Sequence, residues 1–192
     1  MELIFATNNN HKIKEVKALL DSGIKLLGLS DANITEDIPE EGDTLEDNAR
    51  FKAQFVYKKT GMNVFADDTG LEVEALHGAP GVHSARFAGE DKNSKSNIEK
   101  LLRLLKGEKN RKARFRTVIA LIYDKNEYFF EGTVSGKIIT SERGNEGFGY
   151  DPVFVADGCT NTFAEISLSD KNKISHRAEA FQKLQLFLND RV

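Results

Sequence analysis

Residues 113–140 constrain the fold more than any other stretch of the chain. Ala113 to Tyr123 is dense in β-branched and aromatic side chains, and Glu127 to Thr140 follows after only Asp124, Lys125 and Asn126. Two long strand-type runs joined by so short a polar turn predict an antiparallel hairpin. The remaining pattern is strand followed by helix. Glu2 to Thr7 is a short apolar run, after which Ile13, Val16, Leu19 and Leu20 recur at helical spacing toward a stop near Gly23. Ile24 to Leu29 predicts a second strand. Thr44 and Asp47 have the spacing of a capping box, opening a helix through Leu45, Ala49, Ala53 and Val56 that stops at Gly61. Asn63 to Ala66 reads as a brief strand ending in Asp67, Asp68, Thr69 and Gly70, and Leu71 to Leu76 as a half-exposed one. Ile98, Leu101, Leu102 and Leu105 mark a third helix, and the last runs from about Ser175 to Asn189. A hairpin set within a βα order predicts an α/β fold: a mixed sheet flanked by helices, as one domain over residues 1–192.

Composition excludes several classes. With 27 Lys and Arg against 30 Asp and Glu, the formal charge is −3, which offers no bulk basic footprint for a nucleic-acid partner. A local cluster of cations for a small anionic ligand remains open. The longest apolar run, Val118 to Tyr123, is far short of the ~20 residues a membrane span needs. Leu3 to Ala6 is too short for a secretory leader, and Cys159 has no second cysteine to pair with. The expectation is a cytoplasmic protein with no membrane partner.

Four groups of residues carry chemistry. Thr7, Asn8, Asn9, Asn10, His11 and Lys12 sit where a strand hands over to a helix, and free backbone N–H groups there attract anions. The same residues also suit a solvated, capped turn. Glu40, Glu41, Asp67 and Asp68 are carboxylates on separate segments, a donor type suited to Mg²⁺. Neighbours on an extended strand face opposite ways, so Asp67 and Asp68 are assigned different tasks, Asp68 at the site and Asp67 in support. A capped Asp-Asp-Thr-Gly turn is the plainer reading. Phe148, Gly149, Tyr150 and Asp151 combine glycine freedom with an aromatic ring able to stack on a base. Lys171 falls in a polar loop, while His176 and Arg177 open the last helix with donors suited to an acceptor-rich edge, or simply form a polar helix start. His77 and His83 lack zinc spacing.

Taken in order, the motifs resemble the inosine triphosphate pyrophosphatase family along nearly the whole chain. They are Thr-Asn-Asn-Asn-His-Lys at 7–12, Glu-Asp-Asn-Ala with Lys52 at 46–52, and Ala-Asp-Asp-Thr-Gly at 66–70. Gly-Ala-Pro-Gly-Val-His-Ser-Ala-Arg at 78–86, Gly-Phe-Gly-Tyr-Asp-Pro at 147–152 and Ser-His-Arg at 175–177 complete the set. The resemblance implies Mg²⁺-dependent hydrolysis of aberrant 6-oxo purine triphosphates (ITP, dITP, XTP) to the monophosphate and pyrophosphate. It implies a homodimer, and an elongated sheet between two lobes with a cleft. By resemblance, Thr7 to Lys12 hold the phosphates with Lys52 nearby, and Asp68 accepts a proton and joins Glu40 on the metal, with Glu41 in reserve. Thr69 touches substrate. Phe148, Gly149, Tyr150, Asp151, Lys171, His176 and Arg177 then form the nucleoside pocket. A donor such as Arg177 favours a 6-oxo purine over adenine, whose amino group would leave donors facing donors. Two other readings are a septum-inhibitor-type nucleotide pyrophosphatase, disfavoured by the 7–12 and 175–177 motifs, and a non-catalytic nucleotide-binding regulator. The regulator has no use for Glu40 and Asp68 together.

Overall fold

The strand-then-helix order and the long hairpin take shape as a mixed sheet. In the computed structural model, which describes residues 1–20, 23–36, 38–40 and 42–191, the strands are β1 (Glu2–Phe5), β2 (Lys25–Leu27), β3 (Val64–Val73), β4 (Pro80–Gly81), β5 (Lys112–Tyr123), β6 (Asn126–Ile138) and β7 (Phe154–Ala156). The α-helices are α1 (Asn10–Lys17), α2 (Leu45–Thr60), α3 (Ser94–Leu104), α4 (Leu168–Ile174) and α5 (His176–Asn189). Among the described residues the sheet has seven strands in the order β2-β1-β3-β5-β6-β7, with β4 on β3. β1 lies parallel to β2 and β3, whereas β4 and β7 run antiparallel to β3 and β6. No helix among the described residues is long and apolar enough to cross a membrane.

The chain forms two units, one of residues Met1–Asp68, Thr117–Gly132 and Arg177–Val192, the other of Thr69–Arg116 and Thr133–His176. Each has its own apolar core. In the first, β1 and β3 pair Phe5 with Phe65, whose rings stack at 4.4 Å, and Phe181 of α5 tilts onto Phe65 at 6.0 Å. Leu3, Ile119, Leu121, Leu184 and Leu188 close that core. Each such side chain contributes roughly 1.5–3 kcal/mol by leaving water. In the second unit Leu71, Leu101, Leu105, Phe115, Phe154 and Phe163 pack together, with Phe115 and Phe154 at 4.7 Å.

Capping at α2 matches the sequence pattern: Thr44 Oγ1 accepts from the Asp47 amide at 3.1 Å, and Gly61 ends the helix in the left-handed region, at φ 66°. Several boundaries differ. Asp67-Asp68-Thr69-Gly70 is no turn; β3 runs straight through it. Gly70 permits this, because a Cβ there would come 2.7 Å from the Gly81 carbonyl oxygen on the neighbouring β4. The strand then ends at Val73, and Glu74–Leu76 turns as 3₁₀ helix. α1 stops at Lys17 and β2 keeps only three residues. The hairpin loop is two residues, not three: Asp124 and Lys125 both adopt positive φ (49° and 66°), the geometry that fits strand twist. Lys171 lies inside α4 rather than in a loop.

Candidate active site

Each unit buries a polar cluster. In the first, the turn after β1 is built by local hydrogen bonds: Thr7 Oγ1 accepts from the Asn9 amide at 3.2 Å, and Asn9 Oδ1 accepts from the amides of His11 (2.9 Å) and Lys12 (3.3 Å). The sequence reading left those helix-start amides open for an anion. Here the Asn9 carboxamide takes two of them, while Asn8, Asn10 and His11 are exposed. The full charge comes from Lys12, whose Nζ donates to Asp67 Oδ1 at 2.9 Å. Arg177, at the start of α5, donates from Nε to Asp67 Oδ2 (3.2 Å) and from Nη1 to Glu15 Oε2 (2.5 Å). Asp67, Arg177 and Glu15 are at most 3% exposed.

Next along β3, Asp68 faces α2. Asn48 Nδ2 donates to Asp68 Oδ2 at 3.1 Å, and the Asn48 oxygen accepts from the Gly42 amide at 2.8 Å, which fixes the carboxamide. Lys52 Nζ lies 3.4 Å from Asp68 Oδ1 and 2.9 Å from Glu40 Oε1. Two carboxylates from separate segments therefore converge on one cationic centre. Hard oxygen donors in that arrangement fit a divalent ion such as Mg²⁺, which usually completes its shell with water and substrate oxygens. Among the described residues no three His, Cys, Asp or Glu groups cluster to form a closed protein cage. Glu41, the reserve ligand, lies outside the described residues.

The electrostatics follow from burial and from neighbours. Burial pulls against charge on Asp67, yet Lys12 and Arg177 outweigh it and hold the carboxyl well below its usual range. Burial likewise opposes the Lys52 ammonium, and Asp68 and Glu40 more than compensate, raising its pKa. Lys12 goes the other way. Burial, joined by the nearby charges of Lys52 and Arg177, lowers it despite Asp67.

The second unit gathers the later motifs. Asp151 Oδ2 accepts from Lys171 Nζ at 2.6 Å and from the Phe148 amide at 2.8 Å, and Lys171 and Asp151 are both buried. The Lys171 ammonium sits over the Phe148 ring at 5.1 Å and the Phe163 ring at 5.5 Å. Gly147, at φ 72°, makes the turn possible: a Cβ there would lie 2.1 Å from Asp151 Oδ2. Tyr150 belongs to the core, 5% exposed, its hydroxyl donating to the Ser84 carbonyl at 2.8 Å. Burial pushes that phenol above its ordinary pKa. The His176 ring stacks on Phe115 at 4.7 Å. Thr69 is half-buried in β3, and Gly149 takes positive φ in the loop.

The structure thus joins Lys12 and Arg177 to Asp67, joins Lys52 to Glu40 and Asp68, and joins Asp151 to Lys171 and Phe148. Sequence reasoning placed Arg177 among the nucleoside contacts; its Nε donates to Asp67 and its Nη1 to Glu15. Two buried polar residues of these clusters were given no role of their own, although Asn48 lies in a motif that was noted. Asn48 stands one helical turn before Lys52 on α2, a spacing that puts both on one face. Glu15 stands three residues after Lys12 on α1, and nothing in its sequence neighbourhood marks it as buried.

Such a frame defines an α/β protein that buries paired carboxylates and ammonium groups beside its sheet. The chain belongs to the Ham1 family, whose profile matches residues 3–187. It is 54% identical over 188 residues, 97% of each chain, to a Porphyromonas gingivalis protein named dITP/XTP pyrophosphatase. A Christiangramia forsetii protein of the same name is 51% identical over 189 residues, covering 98% of this chain and 100% of that one. Among solved structures, the Staphylococcus aureus Ham1 protein superposes with a TM-score of 0.91 at 41% identity over the whole of both chains. A Mycobacterium abscessus structure titled nucleoside-triphosphatase / dITP/XTP pyrophosphatase gives a TM-score of 0.78 at 38% identity, over 96% of this chain and 98% of that one.

Proposed function

We propose that this protein hydrolyses non-standard purine nucleoside triphosphates (dITP and XTP, with ITP) to the monophosphate and pyrophosphate. The observation that carries the reading is the convergence of Glu40 and Asp68 on Lys52 Nζ, in the same unit as the Asp67-held Lys12. The names borne by relatives that match nearly end to end point to dITP and XTP. A triphosphate carries about four negative charges, and the buried Lys52 and half-buried Lys12 ammonium groups offset much of that where water is scarce. Lys12 and Lys52 hold the phosphates, with Thr7, Asn8, Asn9, Asn10 and His11 lining the adjoining turn. Glu40 and Asp68 would hold Mg²⁺, which supplies charge neutralisation at the phosphate oxygens when bound. Asp68, oriented by Asn48, accepts the proton of the water that attacks the α-phosphorus, a service worth about 10²–10⁴-fold in rate.

The nucleoside falls to the later motifs in this reading. Phe148 offers its ring for stacking, Gly149 and Thr69 allow close approach, and His176 and Tyr150 shape the support beneath. Arg177 and Lys171, the latter held by Asp151, have donors and no acceptor, so they suit the O6 of a 6-oxo purine and oppose the 6-amino group of adenine. A homodimer and a cytoplasmic setting complete the proposal, on the family resemblance alone.

A substrate panel tests it. Pyrophosphate release from dITP, XTP and ITP should exceed that from ATP and GTP by at least about tenfold, the scale of one mismatched buried polar contact. Comparable rates for all five would remove the selectivity, and no release from any of them would remove the function.

A further inference from the structure

The motif at 78–86 serves no step of the reaction above, yet it is tied to residues that do. Pro80 and Gly81 pair with Glu72 and Leu71 of β3, and the chain then turns through the 3₁₀ segment Ser84–Arg86. Ser84 is buried, and its hydroxyl works in both directions: it accepts from the Leu71 amide at 2.8 Å and donates to the Gly81 carbonyl at 2.6 Å. Those two bonds fix the Ser84 backbone against β3. The Ser84 carbonyl in turn accepts from the Tyr150 hydroxyl at 2.8 Å. Burial raises the pKa of that phenol and so keeps it a donor. Leu71, Ser84 and Tyr150 all belong to the second unit, and the Tyr150 ring is part of its apolar core.

Tyr150 stands two residues after Phe148 and directly before Asp151, whose carboxylate accepts from the Phe148 amide and the Lys171 ammonium. Gly147 and Gly149 flank Phe148 at positive φ, 72° and 61°. Glycine on both sides gives the Phe148 backbone wide conformational freedom, and an anchor from outside the loop narrows it. The bond from Tyr150 to Ser84 is such an anchor, made by a ring that the core already holds.

We propose that Ser84 is a positioning residue for base recognition: its hydroxyl locks the 78–86 segment onto β3, and its carbonyl, by accepting from Tyr150, fixes the loop that presents Phe148 and Asp151 to the base. The inference rests on the functional reading above, in which the Phe148 ring stacks on the purine. Ser84 touches no substrate in this scheme, so loss of the Ser84–Tyr150 bond acts on affinity for the base and spares the grip on the phosphates.

Two competitors of dITP hydrolysis separate the ends of the substrate: dIMP, which carries the base, and inorganic pyrophosphate, which does not. Tyr150→Phe keeps the ring in the core and removes the bond to Ser84. It should raise the KM for dITP and the inhibition constant of dIMP by about fivefold, the scale of one neutral hydrogen bond. The pyrophosphate constant should move less than about twofold, since no phosphate contact is lost. Ser84→Ala should give the same pattern. In the Tyr150→Phe background it should add less than about twofold to the dIMP constant, because the bond it positions is gone. Tyr150→Phe carries the test if Ser84→Ala does not fold. An unchanged dIMP constant in folded Tyr150→Phe, equal losses for dIMP and pyrophosphate, or full additivity of the two changes would each overturn the proposal. A wild-type protein that releases no pyrophosphate from dITP would sink the functional reading instead. Calorimetry with dIMP would then decide the role of Ser84 separately: binding about fivefold weaker in Tyr150→Phe keeps it, and equal binding or none removes it.

Discussion

Asp67 and Asp68 show how far a single residue's surroundings set its task. They are neighbours in β3, and strand alternation sends one to Lys12 and Arg177 and the other to Asn48 and Lys52. Replacing Asp68 by Asn keeps the shape and removes the proposed proton acceptor. The expected result is a kcat lower by about 10²–10⁴-fold with nucleotide binding retained, read by steady-state kinetics and calorimetry. Asp67 governs stability. Its folded carboxyl titrates below the usual 3.8 because Lys12 and Arg177 overcome the cost of burial. A folded pKa below the unfolded one means the contribution is whole above about pH 4 and drains away as pH falls toward the folded value. The urea midpoint should therefore drop as pH falls below about 4, more steeply in wild type than in Asp67→Asn. Gly147→Ala should weaken the Asp151–Lys171 pair, because a Cβ at φ 72° would strike Asp151, and the KM for dITP should rise with it. The division between Asp67 and Asp68 was legible from strand alternation alone. Glu15 was not, because burial of a charge depends on a partner 162 residues away.

At the scale of elements, local rules did well wherever the signal was local. The start and stop of α2 were readable from Thr44, Asp47 and Gly61, since capping uses only neighbouring atoms. Thr44→Ala should cost about 1 kcal/mol in urea denaturation, with activity kept at ordinary temperature once the fold is saturated. Asn48 and Lys52 ride on this helix, so its anchoring sets the orientation of Asp68. The run through Asp67 to Gly70 misled, because its residues have the chemistry of a turn. Its place in the sheet, between β1 and β5 and beside β4, and cations facing each carboxylate keep it extended. β4 and β7, of two and three residues, are too short to carry a pattern of their own. Lys171 looked like a loop residue for a similar reason: α4 is only seven residues long and depends on its Ser167 cap.

For the whole molecule, the apolar cores and the polar clusters are separable. Each unit packs its own aromatic and aliphatic side chains, and neither core draws on the carboxylates that converge at Lys52. Chelation of divalent metal should therefore abolish pyrophosphate release while leaving the thermal unfolding midpoint within about 2 °C, and added Mg²⁺ should restore turnover. A large fall in the midpoint on chelation would show a metal that supports the fold rather than the reaction.

The amino-acid order alone specified the α/β class, the long hairpin, the capped helices and the residues rich enough in charge to do chemistry. These rest on periodicity and on turn and cap geometry, which act over a few residues. Partnership was decided in three dimensions: Glu40 with Asp68 on Lys52, Glu15 and Asp67 on Arg177, Asp151 on Lys171. A buried charge is tolerable only beside its opposite, and which opposite stands beside it depends on strands and helices brought together from distant parts of the chain.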